Sequence, residues 1–66
     1  MKIFLNGETK EILEEINLFQ LLKKFSLPSE RVAIELNKEV IRKKEWENIK
    51  VNDGDRLEVI HFVGGG

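Results

Sequence analysis

Cysteine and tyrosine are absent from the 66 residues, and proline, histidine, tryptophan and methionine occur once each. Without thiols the chain can hold no disulfide, iron–sulfur cluster or cysteine-ligated zinc, and a cytoplasmic address is expected. His61 is the only histidine, which excludes a metal site built from several imidazoles. It is expected to pack at a strand end, and no metal is expected. Neither sign of charge dominates: 11 Lys and Arg face 12 Asp and Glu, a net charge of -1. The basic stripe of a nucleic-acid binder is therefore missing. The one basic cluster, Arg42-Lys43-Lys44, is flanked by Glu45 and Glu47 and suits a solvated turn. Long apolar runs are missing too. Met1 to Leu5 meets Asn6-Gly7-Glu8 at once, too short for a signal peptide, and nothing approaches a membrane span. There is also no glycine-rich phosphate loop opening a helix, and the carboxylates are scattered through turns and outward faces.

What is present is a short amphipathic alternation. A hydrophobic fraction of 41% without low-complexity tracts predicts one packed domain. Ile3-Phe4-Leu5 reads as a strand, closed by the hairpin signal Asn6-Gly7. Thr9 to Leu13 is the returning strand, charged and so at a sheet edge. Asn17 has the character of a helix N-cap, with Gln20 completing a capping box. Behind it Leu18, Leu21, Leu22 and Phe25 share a helical face, Lys23 and Lys24 point outward, and Pro28 ends the element. Val32 to Leu36 and Glu39 to Ile41 form a second hairpin about Asn37-Lys38. Trp46 and Ile49 lie in a polar stretch expected to make a helical turn plugging the end of the core. Asn52-Asp53-Gly54-Asp55 is a further turn, and Arg56 to Val63 is the last strand. The order predicts an α+β domain over residues 1–63, with one helix across one sheet of four to five strands.

One helix covers one face of a sheet. Ile3, Leu5, Ile34, Leu36, Leu57 and Val59 are assigned to the helix side by their alternation. Phe4, Ile60 and Phe62 are then left on the open face, and with Val63 they make a candidate patch for docking a partner. Beyond the last strand come Gly64, Gly65 and Gly66. Three extended residues span about 10 Å. Lacking Cβ atoms, they can thread a channel too narrow for other residues and deliver a terminal carboxylate into another protein's active site.

Taken together, these segments resemble the ThiS-type sulfur carriers of thiazole formation in thiamin biosynthesis, which are ubiquitin-like proteins. The resemblance rests on Asn17-Leu18-Phe19-Gln20-Leu21-Leu22, Val32-Ala33-Ile34-Glu35-Leu36-Asn37, Trp46, Asp53-Gly54-Asp55-Arg56-Leu57-Glu58 and the closing Gly65-Gly66. It implies a β-grasp fold and a carrier that catalyses nothing itself. A ThiF-like adenylating enzyme would join the Gly66 carboxylate to AMP using ATP. A sulfur donor such as a cysteine desulfurase would turn the acyl-adenylate into a thiocarboxylate, and a ThiG-like thiazole synthase would accept the sulfur. Gly64 and Gly65 would be the tail threading the partner's site, and no cofactor would be bound by the chain. Partners would be proteins, with no nucleic acid and no membrane.

Two departures from the family pattern fall in the second hairpin. Lys38 stands where glycine is common, so Asn37 is expected to carry the positive φ instead, and a proline common near Ile41-Arg42 is missing. The residues alone leave other readings open. These are a sulfur carrier for molybdopterin synthesis or tRNA thiolation, a ubiquitin-like modifier forming an isopeptide bond through Gly66, or an interaction domain with an inert tail.

Overall fold

The computed structural model describes residues 1–62. Its strands are β1 (Lys2–Leu5), β2 (Glu8–Glu11), β3 (Val32–Leu36), β4 (Glu39–Ile41) and β5 (Arg56–His61). They form one five-stranded sheet in the order β2-β1-β5-β3-β4. The helix α1 (Leu18–Lys24) follows β2, and a 3-10 helix (Lys43–Asn48) follows β4. β5 lies at the centre of the sheet, parallel to β1 and antiparallel to β3. The last strand of the chain is thus held on both sides.

Both hairpins have two-residue turns. Asn6 and Gly7 have φ of 50° and 81°, the pair of positive values that a tight turn matching strand twist demands. The second hairpin pairs Leu36 with Glu39 and leaves only Asn37 and Lys38 between them. Both take positive φ, 51° and 72°. The expectation that Asn37 alone would do so is corrected: a two-residue turn of this hand needs both central positions left-handed. β2 is also shorter than the sequence suggested, ending at Glu11. The Ile12 and Met1 backbones still pair, but Ile12 turns fully inward while Leu13 is 88% exposed.

The capping box on α1 forms as expected. Asn17 Oδ1 accepts from the Gln20 amide at 2.8 Å, and Gln20 Oε1 accepts from the Asn17 amide at 2.9 Å. The far end differs. Ser26, at φ 56°, turns the chain left-handed, its amide donates to Lys23 O, and the Leu27 amide donates to Leu22 O. The stop is thus a Schellman closure two residues ahead of Pro28, not an effect of the proline. Lys24, in the last turn, reaches Glu14 at 2.9 Å and holds that exposed carboxyl below its usual range.

Leu18, Leu21 and Leu22 bury the inner face of α1 against Ile3, Leu5, Ile34 and Leu57 of the sheet. Leu36 and Val59 pack at the margin of the same cluster, on the side assigned to them. Trp46 in the 3-10 helix is 1% exposed and closes one end, its ring centroid 6.5 Å from that of Phe19. Its indole N–H donates to Ile41 O at 3.1 Å, so the ring is buried without an orphaned donor. Ile12, Ile16 and Val51 complete the core from the loops around α1.

An L-residue in the left-handed region costs about 1–2 kcal/mol, of which glycine's extra unfolded-state entropy returns about half. Lys38→Gly is therefore expected to stabilise the domain by about 0.5–1 kcal/mol in urea unfolding. A loss of stability would show that Lys38 is held by interactions beyond its turn.

Candidate functional site

Everything the sequence assigned to function lies on β5, on the open sheet face or beyond the strand. The start of β5 is fixed by a polar node. Asp55 is 8% exposed, the one buried charged side chain among the described residues. Its Oδ2 accepts from the Asn52 amide at 2.7 Å, and its Oδ1 accepts from Asn37 Nδ2 at 3.1 Å. Asn37 Oδ1 accepts in turn from the Arg56 amide at 3.0 Å. Next door, Asp53 Oδ1 accepts from the Lys2 amide at 2.7 Å, and Asn6 Oδ1 accepts from the Val59 amide at 2.8 Å. Four short polar side chains thereby stitch β5 to β1 and to the β3–β4 turn. The sequence marked Asn6, Asn37, Asp53 and Asp55 as turn formers and placed the carboxylates at the surface. Asp55 corrects that: it is an internal acceptor. The signal available was the density of Asn and Asp in the three turns, because such side chains bond nearby backbone amides.

On the face away from α1, Phe4, Ile60 and Phe62 stand as assigned, yet they are not one patch. Phe4 is level with Arg56, and Ile60 lies four residues further along β5, about 13 Å away. Glu58 intervenes. Phe4 is half-buried, and the Arg56 guanidinium lies 4.6 Å from its ring centroid, a cation–π contact that covers it. Ile60 is 44% exposed and Phe62 53% exposed. Ile60 neighbours Ala33 on β3, and the Phe62 amide donates to Arg31 O at 2.7 Å, extending the pairing one step past β5. His61, expected to pack, is exposed at the end of β5, although Val32 opposite it on β3 packs against the core. Val63, Gly64, Gly65 and Gly66 lie outside the described residues.

A shallow groove of about 300 Å³ opens on the same face, lined by Phe4, Glu35, Lys38, Arg56 and Glu58. Among the described residues no group of three or more His, Cys, Asp or Glu is placed to hold a metal, and no helix is long and apolar enough to cross a membrane.

A mixed sheet curled about one helix, with the first and last strands parallel at its centre, defines a ubiquitin-like β-grasp protein. The chain belongs to the ThiS family, whose model matches residues 3–66. The crystal structure of the thiamine biosynthesis protein ThiS from Geobacter metallireducens superposes with a TM-score of 0.88, at 33% identity and full coverage of both chains. The sulfur carrier protein ThiS of Bacillus subtilis is 36% identical over 63 residues, covering 94% of this chain and 96% of that protein. The thiazole synthase of Paramagnetospirillum magneticum is 38% identical over 66 residues, all of this chain but 20% of that protein. The chain therefore spans about a fifth of that relative's length.

Removing the Asp55 carboxylate strands the Asn52 amide and one Asn37 N–H. Asp55→Ala is expected to cost about 1.5–3 kcal/mol in urea unfolding, the range for hydrogen bonds to a charged group. Proton exchange should speed up first at the Arg56 amide, which Asn37 holds. A loss below about 0.5 kcal/mol would mean water replaces the carboxylate.

Proposed function

We propose that this protein carries sulfur as a thiocarboxylate on Gly66 and hands it to a thiazole synthase in thiamin biosynthesis. The observation behind the proposal is the family match, which runs unbroken through the glycine segment to Gly66. The similarity to a Bacillus sulfur carrier over nearly the whole of both chains supports it. The thiazole synthases that contain a segment like this chain support the acceptor, since fusion makes sense for proteins that meet in one reaction.

The chemistry follows from the carboxylate. Ionised at neutral pH, it resists attack by a nucleophile and must first be given a leaving group. A carboxylate oxygen of Gly66 attacks the α-phosphorus of ATP in a ThiF-like adenylating enzyme, and pyrophosphate departs. The terminal sulfur of a persulfide on a donor such as a cysteine desulfurase then attacks the carbonyl carbon of the acyl-adenylate and AMP departs. A second thiol cleaves the S–S bond of the resulting acyl disulfide, releasing the thiocarboxylate and itself becoming a disulfide. The thiocarboxylate left on Gly66 is the nucleophilic sulfur that the synthase takes.

Within this scheme the domain presents and the partners catalyse. Gly64 and Gly65 lead the carboxylate into a narrow site, and Ile60, Phe62 and Val63 meet the partner at the root of the tail. Phe4 joins that contact if Arg56 swings off its ring. Such a role asks for a rigid platform, and β5 at the centre of the sheet supplies one.

Gly65→Leu tests the threading step. ATP–pyrophosphate exchange catalysed by the adenylating enzyme should fall by at least about a hundredfold, the scale of loss for a misplaced reacting group. The melting midpoint should be unchanged. Exchange at the parent rate would overturn the role given to the tail.

A further inference from the structure

The polar stitching around β5 leaves one of its members open to chemistry. Asn6 and Gly7 form the tip of the first hairpin, both exposed and both at positive φ. An asparagine followed by glycine loses its side-chain amide when the next backbone nitrogen attacks the side-chain carbonyl carbon. Glycine favours this because no Cβ shields that nitrogen. The Gly7 amide makes no hydrogen bond among the described residues. No heavy atom beyond its chain neighbours lies within 4 Å of where a Cβ would stand. Asn6 is held through Oδ1, which accepts from the Val59 amide at 2.8 Å, while Nδ2 makes no hydrogen bond among the described residues. The Val59 N–H thus sits on the oxygen where negative charge builds during the attack, and the departing nitrogen is unrestrained.

The other candidates are guarded. Asp53-Gly54 is a similar pair, but the Gly54 amide donates to Lys2 O at 2.7 Å. Asn17, Asn37, Asn48 and Asn52 are each followed by a residue with a side chain. Asn17 and Asn37 also have both ends of their amides engaged. We infer that Asn6 is a self-modification site of the folded domain, where the Gly7 backbone and water convert asparagine to aspartate or its β-linked isomer. The Gly7 nitrogen bonds to Asn6 Cγ and the Cγ–Nδ2 bond breaks. The Gly7 proton passes through water to the departing nitrogen, which leaves as ammonia. Water then opens the succinimide ring. Opening at Cγ gives aspartate, whose carboxylate still accepts from Val59. Opening at the main-chain carbonyl gives the isomer, which inserts a methylene, about 1.5 Å, into a two-residue turn. Asn6 ties β1 to β5 twice, through its own amide on Leu57 O and through Oδ1. The isomer makes Oδ1 a main-chain oxygen and displaces the second tie.

Peptide mapping tests the site on native protein held at mildly alkaline pH, beside the chain unfolded in urea. The native domain should convert at Asn6 while Asp53 and the other asparagines persist. An Asn6 left intact over the time in which half of the unfolded chain converts would overturn the inference. Methyl transfer by a protein-isoaspartate methyltransferase marks the isomer, which chromatography then isolates. Its Val59 amide should exchange faster, and its melting midpoint should fall by about 4–8 °C, the scale of one hydrogen bond in a domain of this size. Asn6→Asp, which stands for the other product, should match the parent in both. An isomer with the parent's exchange and midpoint, or an Asn6→Asp variant as loosened as the isomer, would overturn the structural consequence.

Discussion

The Asp55 carboxylate takes the Asn52 amide on one oxygen and the Asn37 side-chain amide on the other, and the course of β5 depends on that arrangement. Asn37 relays the constraint to the Arg56 amide, and Asn6 takes the Val59 amide further along the strand. The start of the strand is thereby tied to both of its neighbours before any ladder bond is counted. A charge buried to this degree is tolerated because every buried side-chain polar atom among the described residues has a partner. The node lies at one end of β5 and the glycines follow the other. Where β5 ends, at His61, follows from where Asp55 starts it.

Size explains why the rest is spare. A chain near this length buries only about 60% of the surface that its unfolded form exposes. One short helix and one buried tryptophan cover a single face of the sheet, so the second face stays wet. A wet face costs a carrier little, since it is where another protein can sit. The charged rows on that face, with single apolar residues between them, fit the transient contact that the proposed function calls for. A dry patch would favour permanent association. On the proposed function the domain needs no catalytic pocket, because the reactive group is a backbone carboxylate and the machinery belongs to the partners.

Much of the fold could be read from local signals. The Asn6-Gly7 turn, the Asn17–Gln20 capping box, the helical face of Leu18, Leu21 and Leu22 and the plug formed by Trp46 all declare themselves through neighbours in sequence. What could not be read depends on pairing. That Lys38 shares the left-handed turn follows from Leu36 facing Glu39, and the separation of Phe4 from Ile60 follows from the β1–β5 register. The opposition of Glu35 and Glu58 is of the same kind, because alternation gives the face of each residue but not its partner. Asp55 was read as a surface turn residue because one of its oxygens takes the side-chain amide of Asn37, which is remote in sequence and comes near only through the pairing of β3 with β5. The glycine segment lies outside the described residues, and the role read for it from the missing Cβ atoms belongs to the proposed function.

The central claim is that Gly66 carries sulfur, and the intact mass of the chain tests it most directly. The protein is incubated with ATP, the adenylating enzyme and a sulfide source, then weighed beside a form lacking Gly66. The account predicts a gain equal to the exchange of one oxygen for one sulfur in the full chain and none in the shortened form. An unchanged mass, with an enzyme shown to be active on another carrier, would contradict it.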